Sequence, residues 1–272
     1  MRYFVLYDLP YITLIVFILG CGYRLAMWLS APAPLKIPVT PAPATRAGVV
    51  MRYASEILIF RTLFTGDKAL WLASWVFHAA FAFVIGGHVM GILCSGAVSE
   101  WLDLRPGQYE TFSAVVGGHL GVLILLPLLY LFARRMRQER VRYVSSFGDY
   151  FALFLLIALV CTGDYMRFRW WLSSGPIWHA IGYPNVDIHP VNLRDVHDFV
   201  IGLILWRPRP APGGLAFVWH FFLANVLVMY LPFGKLMHAG GIFFSPTRNQ
   251  RNNPRDQRHL NPWDEPEGAP NE

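Results

Sequence analysis

The sequence predicts an all-α integral membrane protein of five transmembrane helices, on three observations. Its 272 residues are 55% hydrophobic and 15% charged, whereas a soluble domain carries about 25% charge. Five stretches, residues 9–29, 70–93, 112–133, 147–168 and 215–239, are apolar over the roughly 20 residues a helix needs to cross hydrocarbon. The basic residues behind the net charge of +6 gather beside these stretches and do not alternate with exposed aromatics, a pattern that sets topology and argues against a nucleic-acid partner.

The first stretch reads as a retained anchor, because only Arg2 precedes it and no small-residue cleavage site follows at Tyr23-Arg24. Residues 30–45 are rich in Ala and Pro and read as a semi-extended linker, so residues 1–69 comprise one helix and an inner Pro-rich connection. Residues 70–239 form the core, including a loop over 163–214 that is long enough to expect structure or function of its own. Within that loop, residues 196–206 are too short to span and are expected to lie along the membrane surface. Residues 240–272, rich in Asn, Arg and Pro, form an inner tail with no apolar face and little reason to fold alone.

Lys36, Arg46, Arg52, Arg61 and Lys68 follow the first span, Arg134 to Arg142 the third, and Lys235, Arg248 and Arg251 the fifth, whereas residues 95–111 hold only Arg105. The positive-inside bias then puts the N-terminus outside and the C-terminus in the cytoplasm, across the cell's inner membrane. Arg134 to Arg142 are expected to face lipid headgroups, with a secondary role in holding an acidic inner partner. Trp71, Trp75, Trp101, Trp170 and Trp171 sit at span edges as an interfacial belt. Cys21, Cys94 and Cys161 are far apart and form neither CxxC nor CxxCH, so this chain alone assembles no iron–sulfur cluster, zinc site or thioether-linked haem. Cys94 and Cys161 fall near helix ends on one side and are read as small apolar packers rather than a disulfide.

Four histidines lie within two of the spans: His78 and His88, ten residues apart, and His220 and His238, eighteen apart. Ionisable groups at membrane depth are costly and are retained where something binds them. Neutral imidazoles facing each other across a helix bundle suit haem iron, here non-covalent b-type haem. The fifth span reads as one helix on which His220 and His238, five turns apart, share a face at a separation of about 27 Å, while His78 and His88 are about 15 Å apart. The second and fifth spans run in opposite directions, which pairs His78 with His238 on the inner side and His88 with His220 on the outer side. Gly86, Gly87 and Gly91 surround His88; Gly87 and Gly91 are read as letting a flat macrocycle approach the backbone, against the alternative of small-residue helix packing.

The FH(x9)H pattern followed by H(x17)H with LPFxKLxH resembles the gamma-subunit cytochromes b of respiratory nitrate reductases, from about Leu70 to Ala239. That resemblance implies a five-helix bundle with two bis-histidine b haems ligated by His78, His88, His220 and His238. It further implies electron exchange with a quinone, menaquinone or ubiquinone, near the outer haem. The tail motif GGIFFSPTRNQRNN and GDYMRF at residues 163–168 are similar to the related DsrM family of dissimilatory sulfur-metabolism complexes. This second resemblance implies an inner iron–sulfur partner related to heterodisulfide reductase, together with further membrane, multihaem cytochrome c and ferredoxin-like subunits.

His119 in GGHLG reads either as a quinone hydrogen-bond partner and proton carrier or as a propionate or backbone contact. Asp164 reads as a proton relay or a helix-end residue, and Arg105 is the sole candidate for a basic quinone-site residue after the second span. His179, His189 and His197 with Asp187 and Asp195 read as a polar contact surface rather than a metal site. A nitrate reductase subunit is the alternative within the redox class. A proton or metal transporter, the rival from another class, predicts acidic residues deep within spans and internal repeats; Asp164 stands at the end of its span and no repeat is visible.

Overall fold

The computed structural model describes residues 1–32, 38, 41–101, 103, 108–174, 191–245 and 247–252. Arg105, His179, Asp187 and His189 lie outside the described residues. The helices are α1 (Leu9–Ser30), α2 (Arg46–Leu58), α3 (Arg61–Gly66), α4 (Lys68–Leu93), α5 (Ser95–Trp101), α6 (Gln108–Arg137), α7 (Glu139–Tyr143), α8 (Phe147–Ser174), α9 (Leu193–Ile204), α10 (Leu215–Tyr230) and α11 (His238–Gly241). Five helical segments are long and apolar enough to cross a membrane: Phe4–Ser30, Lys68–Leu93, Thr111–Arg137, Phe147–Phe168 and Leu215–Phe233. The predicted all-α membrane bundle is therefore what the chain forms. Large apolar side chains on these helices point outward, Phe83 at 70% and Leu126 at 59% exposure, an exterior suited to lipid rather than water.

The chain divides into two compact units, Met1–Arg24 with Asp67–Met237, and Leu25–Gly66 with His238–Glu272.

In the first unit, Asp67 caps α4 by accepting from the Leu70 N–H at 3.0 Å. Ala80 of α4, Ile124 and Leu128 of α6, and Leu153 and Leu156 of α8 form one core. A second core contains Val5, Leu6 and Leu9 with Phe199, Leu203, Phe217 and Val218. Helix α9, expected along the membrane surface, is packed into this second core. Its apolar face turns to protein, with Phe199 fully buried, and Tyr11 donates to the Leu203 carbonyl at 2.9 Å. An amphipathic helix needs an apolar neighbour, and here the start of the chain and α10 supply it in place of lipid.

The fifth span is not one helix. α10 stops at Tyr230, and Leu231–Phe233 and Lys235–Met237 are 3₁₀ turns before α11 begins at His238. Pro232 cannot donate to the helical ladder, so the single helix expected from His220 to His238 is interrupted. The carbonyls at the break find a donor in Arg24, whose Nε reaches Pro232 O at 2.8 Å and whose Nη2 reaches Phe233 O at 3.3 Å. Lys235 is anchored on the buried Asp149 at 2.8 Å, and Asp149 also accepts from the Ser146 N–H at 2.8 Å. Irregular backbone is tolerated at membrane depth when protein groups satisfy it in this way. Arg134 pairs with Asp67 at 3.6 Å and Arg135 donates to Ser145 at 2.6 Å, so these two arginines also hold protein and do not serve headgroups alone.

The second unit contains α2, which the linker reading did not anticipate; Thr45 caps it by accepting from the Gly48 N–H at 3.1 Å. The beginning of the tail folds onto this unit. Phe243 stacks on Tyr53 at 6.2 Å, Phe244 meets Trp28 at 5.3 Å, and the Asn252 N–H donates to Pro43 O at 2.7 Å. Ile242-Phe243-Phe244 supply the apolar contacts that a polar tail was expected to lack. Residues 253–272 lie outside the described residues.

Phe199→Ala is expected to cost about 3–5 kcal/mol, the range for emptying a fully buried aromatic site, read as a lower thermal unfolding midpoint of the detergent-solubilised protein.

Candidate cofactor site: the facing histidines

α4 carries His78 and His88, and in both the ring nitrogen Nδ1 lies 2.7 Å from a carbonyl one turn earlier, Ser74 O and Val84 O respectively. A carbonyl only accepts, so Nδ1 holds the proton and Nε2 keeps its lone pair. His119 on α6 repeats the arrangement with Val115 O at 2.7 Å. His220 on α10 differs, because its Nδ1 turns to another helix and meets Thr162 Oγ1 at 3.0 Å and Leu159 O at 3.1 Å. All four rings are therefore set as Nε2 donors toward a metal or hydrogen.

The structure brings His88 and His220 together. Their ring centres are 6.3 Å apart and their planes differ by 19°. Two metal–imidazole bonds of about 2 Å each, with half a ring on either side, require a separation of about 6 Å. His88 is exposed in the last two turns of α4, and added methyls at Gly86 and Gly87 would meet nothing within 4 Å, so polypeptide leaves room beside it. No three metal-binding side chains converge among the described residues. Paired imidazoles are an axial supply that suits a macrocycle and does not suit a tetrahedral ion. These features fit a haem between His88 and His220.

The other expected residues fall as follows. His78 belongs to the first unit and His238 to the second. Gly91 faces protein, with Tyr109 Oη at 3.5 Å and Leu193 Cδ2 at 3.7 Å from an added methyl, so packing occupies the space expected for a macrocycle. Burial pushes the Tyr109 phenol above its ordinary pKa, helped by neighbouring Cys94, which keeps it a neutral donor. His119 is exposed, whereas Asp164 is half-buried with its carboxylate laid against Gly121. Residues 119 and 121 diverge by about 200° around α6, so His119 and Asp164 serve different faces. His197, expected on a polar contact surface, uses Nδ1 to bind the Ile92 carbonyl and ties α9 to the end of α4. All three cysteines are free.

Sequence reasoning did not single out Thr162, Arg24 or Asp149. Arg24 and Asp149 had a signal, as charged residues at the ends of apolar spans near a proline-interrupted segment. Thr162 had none, because its partner lies 58 positions away.

An apolar five-helix bundle with opposed imidazoles defines an electron-transfer subunit of the membrane cytochrome b class. More particularly, the chain belongs to the nitrate reductase gamma-subunit family, which residues 43–248 match. Among its relatives, an Hdr-like menaquinol oxidoreductase cytochrome b-like subunit of Archaeoglobus fulgidus is 31% identical, covering 94% of this chain and 82% of that protein. The subunit of the same description from Archaeoglobus profundus is 27% identical over 96% of this chain and 83% of its own length. A nitrate reductase gamma chain of Bacillus subtilis is 27% identical over 63% of this chain and 72% of its own.

Because a methyl at Gly121 would overlap the Asp164 carboxylate, Gly121→Ala is expected to destabilise the bundle by about 1–3 kcal/mol. Gly117→Ala on the same helix, whose methyl meets nothing within 4 Å, should leave the unfolding midpoint nearly unchanged.

Proposed function

We propose that this chain is a dihaem cytochrome b that carries electrons between the quinone pool and an iron–sulfur subunit of a Dsr-type sulfur-metabolism complex. The observation that carries the reading is the His88–His220 pair, 6.3 Å apart with near-parallel rings and with each Nδ1 proton committed to an acceptor. His88 and His220 hold the outer haem b; His78 and His238 hold the inner one. Haem supplies the one-electron redox chemistry, and the protein supplies ligands, depth and polarity.

His78 is prepared for ligation in the same way as His88, its Nδ1 bound to its own helix at 2.7 Å. His238 follows directly in sequence on the segment that Lys235 anchors to Asp149. His119 presents Nε2 from an exposed face of α6 and is assigned to hydrogen-bond a quinone oxygen and take up its proton. Asp164 and Arg105 complete the proposed proton and quinone contacts, Asp164 from α8 against a separate face of α6 and Arg105 on sequence grounds alone. Gly87, with open space beside it, admits the macrocycle edge.

The choice of a Dsr-type complex is supported by coverage: the two Hdr-like relatives match 94% and 96% of the chain, and the nitrate reductase gamma chain 63%. Their description names menaquinol, which makes a menaquinol-type quinone the proposed substrate and an Hdr-like iron–sulfur subunit the proposed inner partner. Membrane, multihaem cytochrome c and ferredoxin-like subunits complete the proposed assembly. The basic flanks of the spans support a C-terminus in the cytoplasm and an N-terminus outside the inner membrane.

Two measurements test this reading. Purified complex should contain two haems b per chain by pyridine haemochrome assay, and His88→Ala or His220→Ala should each leave one. Retention of both in either variant overturns the assignment. His119→Ala should retain both haems while quinol oxidation falls by about 10²-fold or more, the scale of a lost general acid–base group; unchanged turnover removes His119 from the mechanism.

A further inference from the structure

Among the histidines described above, His78, His88 and His119 each bind a carbonyl of their own helix, so the orientation of each ring is internal to one element. His220 is oriented instead by a neighbouring helix, through Thr162 and Leu159 of α8. A threonine that bonds back to its own helix is ordinary in membrane spans, and Thr162 does so, with Oγ1 3.0 Å from Ala158 O and 2.8 Å from Leu159 O. Those bonds commit the hydroxyl proton to backbone, so it is an oxygen lone pair that meets Nδ1 of His220. The imidazole must donate there, sharing its proton between Thr162 Oγ1 and Leu159 O.

The next residue confines the ring. An added methyl at Gly163 would stand 3.2 Å from Cε1 of His220 and 3.6 Å from Nδ1, so the edge of the imidazole rests on bare backbone. Thr162 and Gly163 together form a seat that fixes both the tautomer and the placement of the ring.

We infer that Thr162 is a positioning residue for His220 and, by accepting from Nδ1–H, lowers the reduction potential of the haem that His220 ligates. This rests on the dihaem reading above. An acceptor on Nδ1–H makes the imidazole a more basic ligand, which favours the oxidised iron; outer-shell hydrogen bonds of this kind tune metal sites and orient their ligands. The haem between His88 and His220 is therefore tuned from two sides of different character, a carbonyl within α4 and a hydroxyl-plus-carbonyl pair across the α8–α10 contact.

The test is an optical redox titration of the assembled complex, with haem content measured in parallel, for wild type, Thr162→Val and Thr162→Ser. In Thr162→Val one of the two b-haem potentials should rise while the other stays fixed, and Thr162→Ser, which keeps the oxygen, should return it to the wild-type value. Loss of one haem in Thr162→Val with retention in Thr162→Ser supports the same role. If Thr162→Val does not assemble, Thr162→Ala gives the same reading without the bulk of the valine. Two retained haems with both potentials unmoved overturn the inference, as does Thr162→Ser behaving like Thr162→Val, which would assign the effect to methyl packing. A wild-type complex without two haems overturns the dihaem reading itself, and this inference with it.

Discussion

Hydrocarbon offers no water to a polar group, so every ring nitrogen and every carbonyl freed from a helix must find its partner within the protein. The rest of the structure follows from that constraint. It turns the Nδ1 protons of His78, His88 and His119 onto carbonyls one turn back, and that of His220 onto α8. The consequence is chemical: with one nitrogen committed, the other is left as a lone-pair donor of fixed tautomer. A membrane span that satisfies its histidines in this way has also prepared them as ligands.

The same constraint explains how the fifth span breaks without unfolding the bundle. Pro232 interrupts the ladder, and Arg24 covers the exposed carbonyls with two donors while Asp149 holds Lys235. Asp149 is 4% exposed on its side chain, with Lys235 and Arg135 on the same carboxylate oxygen; a buried charge of this kind persists only when paired and hydrogen-bonded. The LPFGKLMH segment is thus a set of separate commitments: a proline that ends the helix, a lysine that ties the chain to α8, and then a histidine. The course of residues 231–237 is set by these contacts and not by a continuous helix.

Family membership and site geometry support each other here from independent directions. The family match covers residues 43–248, which hold all four histidines of the proposed ligand set. The long matches to Hdr-like subunits extend to nearly the whole chain, including the tail residues that pack on Tyr53 and Trp28. The described beginning of that tail is therefore part of the fold of the second unit.

Hydropathy and charge alone determined the five spans, because a run of apolar residues has a single favourable solvent and its length is read directly against the thickness of that solvent. The four histidines were legible for the same reason, since their cost in lipid made them conspicuous. What sequence left open depends on contacts between residues remote in the chain. Helix α9 carries a face that suits lipid or protein equally, and only its neighbours Leu6, Phe217 and Val218 decided for protein. Gly91 and Gly87 read alike as glycines beside a histidine, yet one abuts Tyr109 and Leu193 and the other faces open space. The nearness of His88 to His220, and the seat that Thr162 makes for the second of them, arise from packing across helices, which periodicity within one helix does not encode.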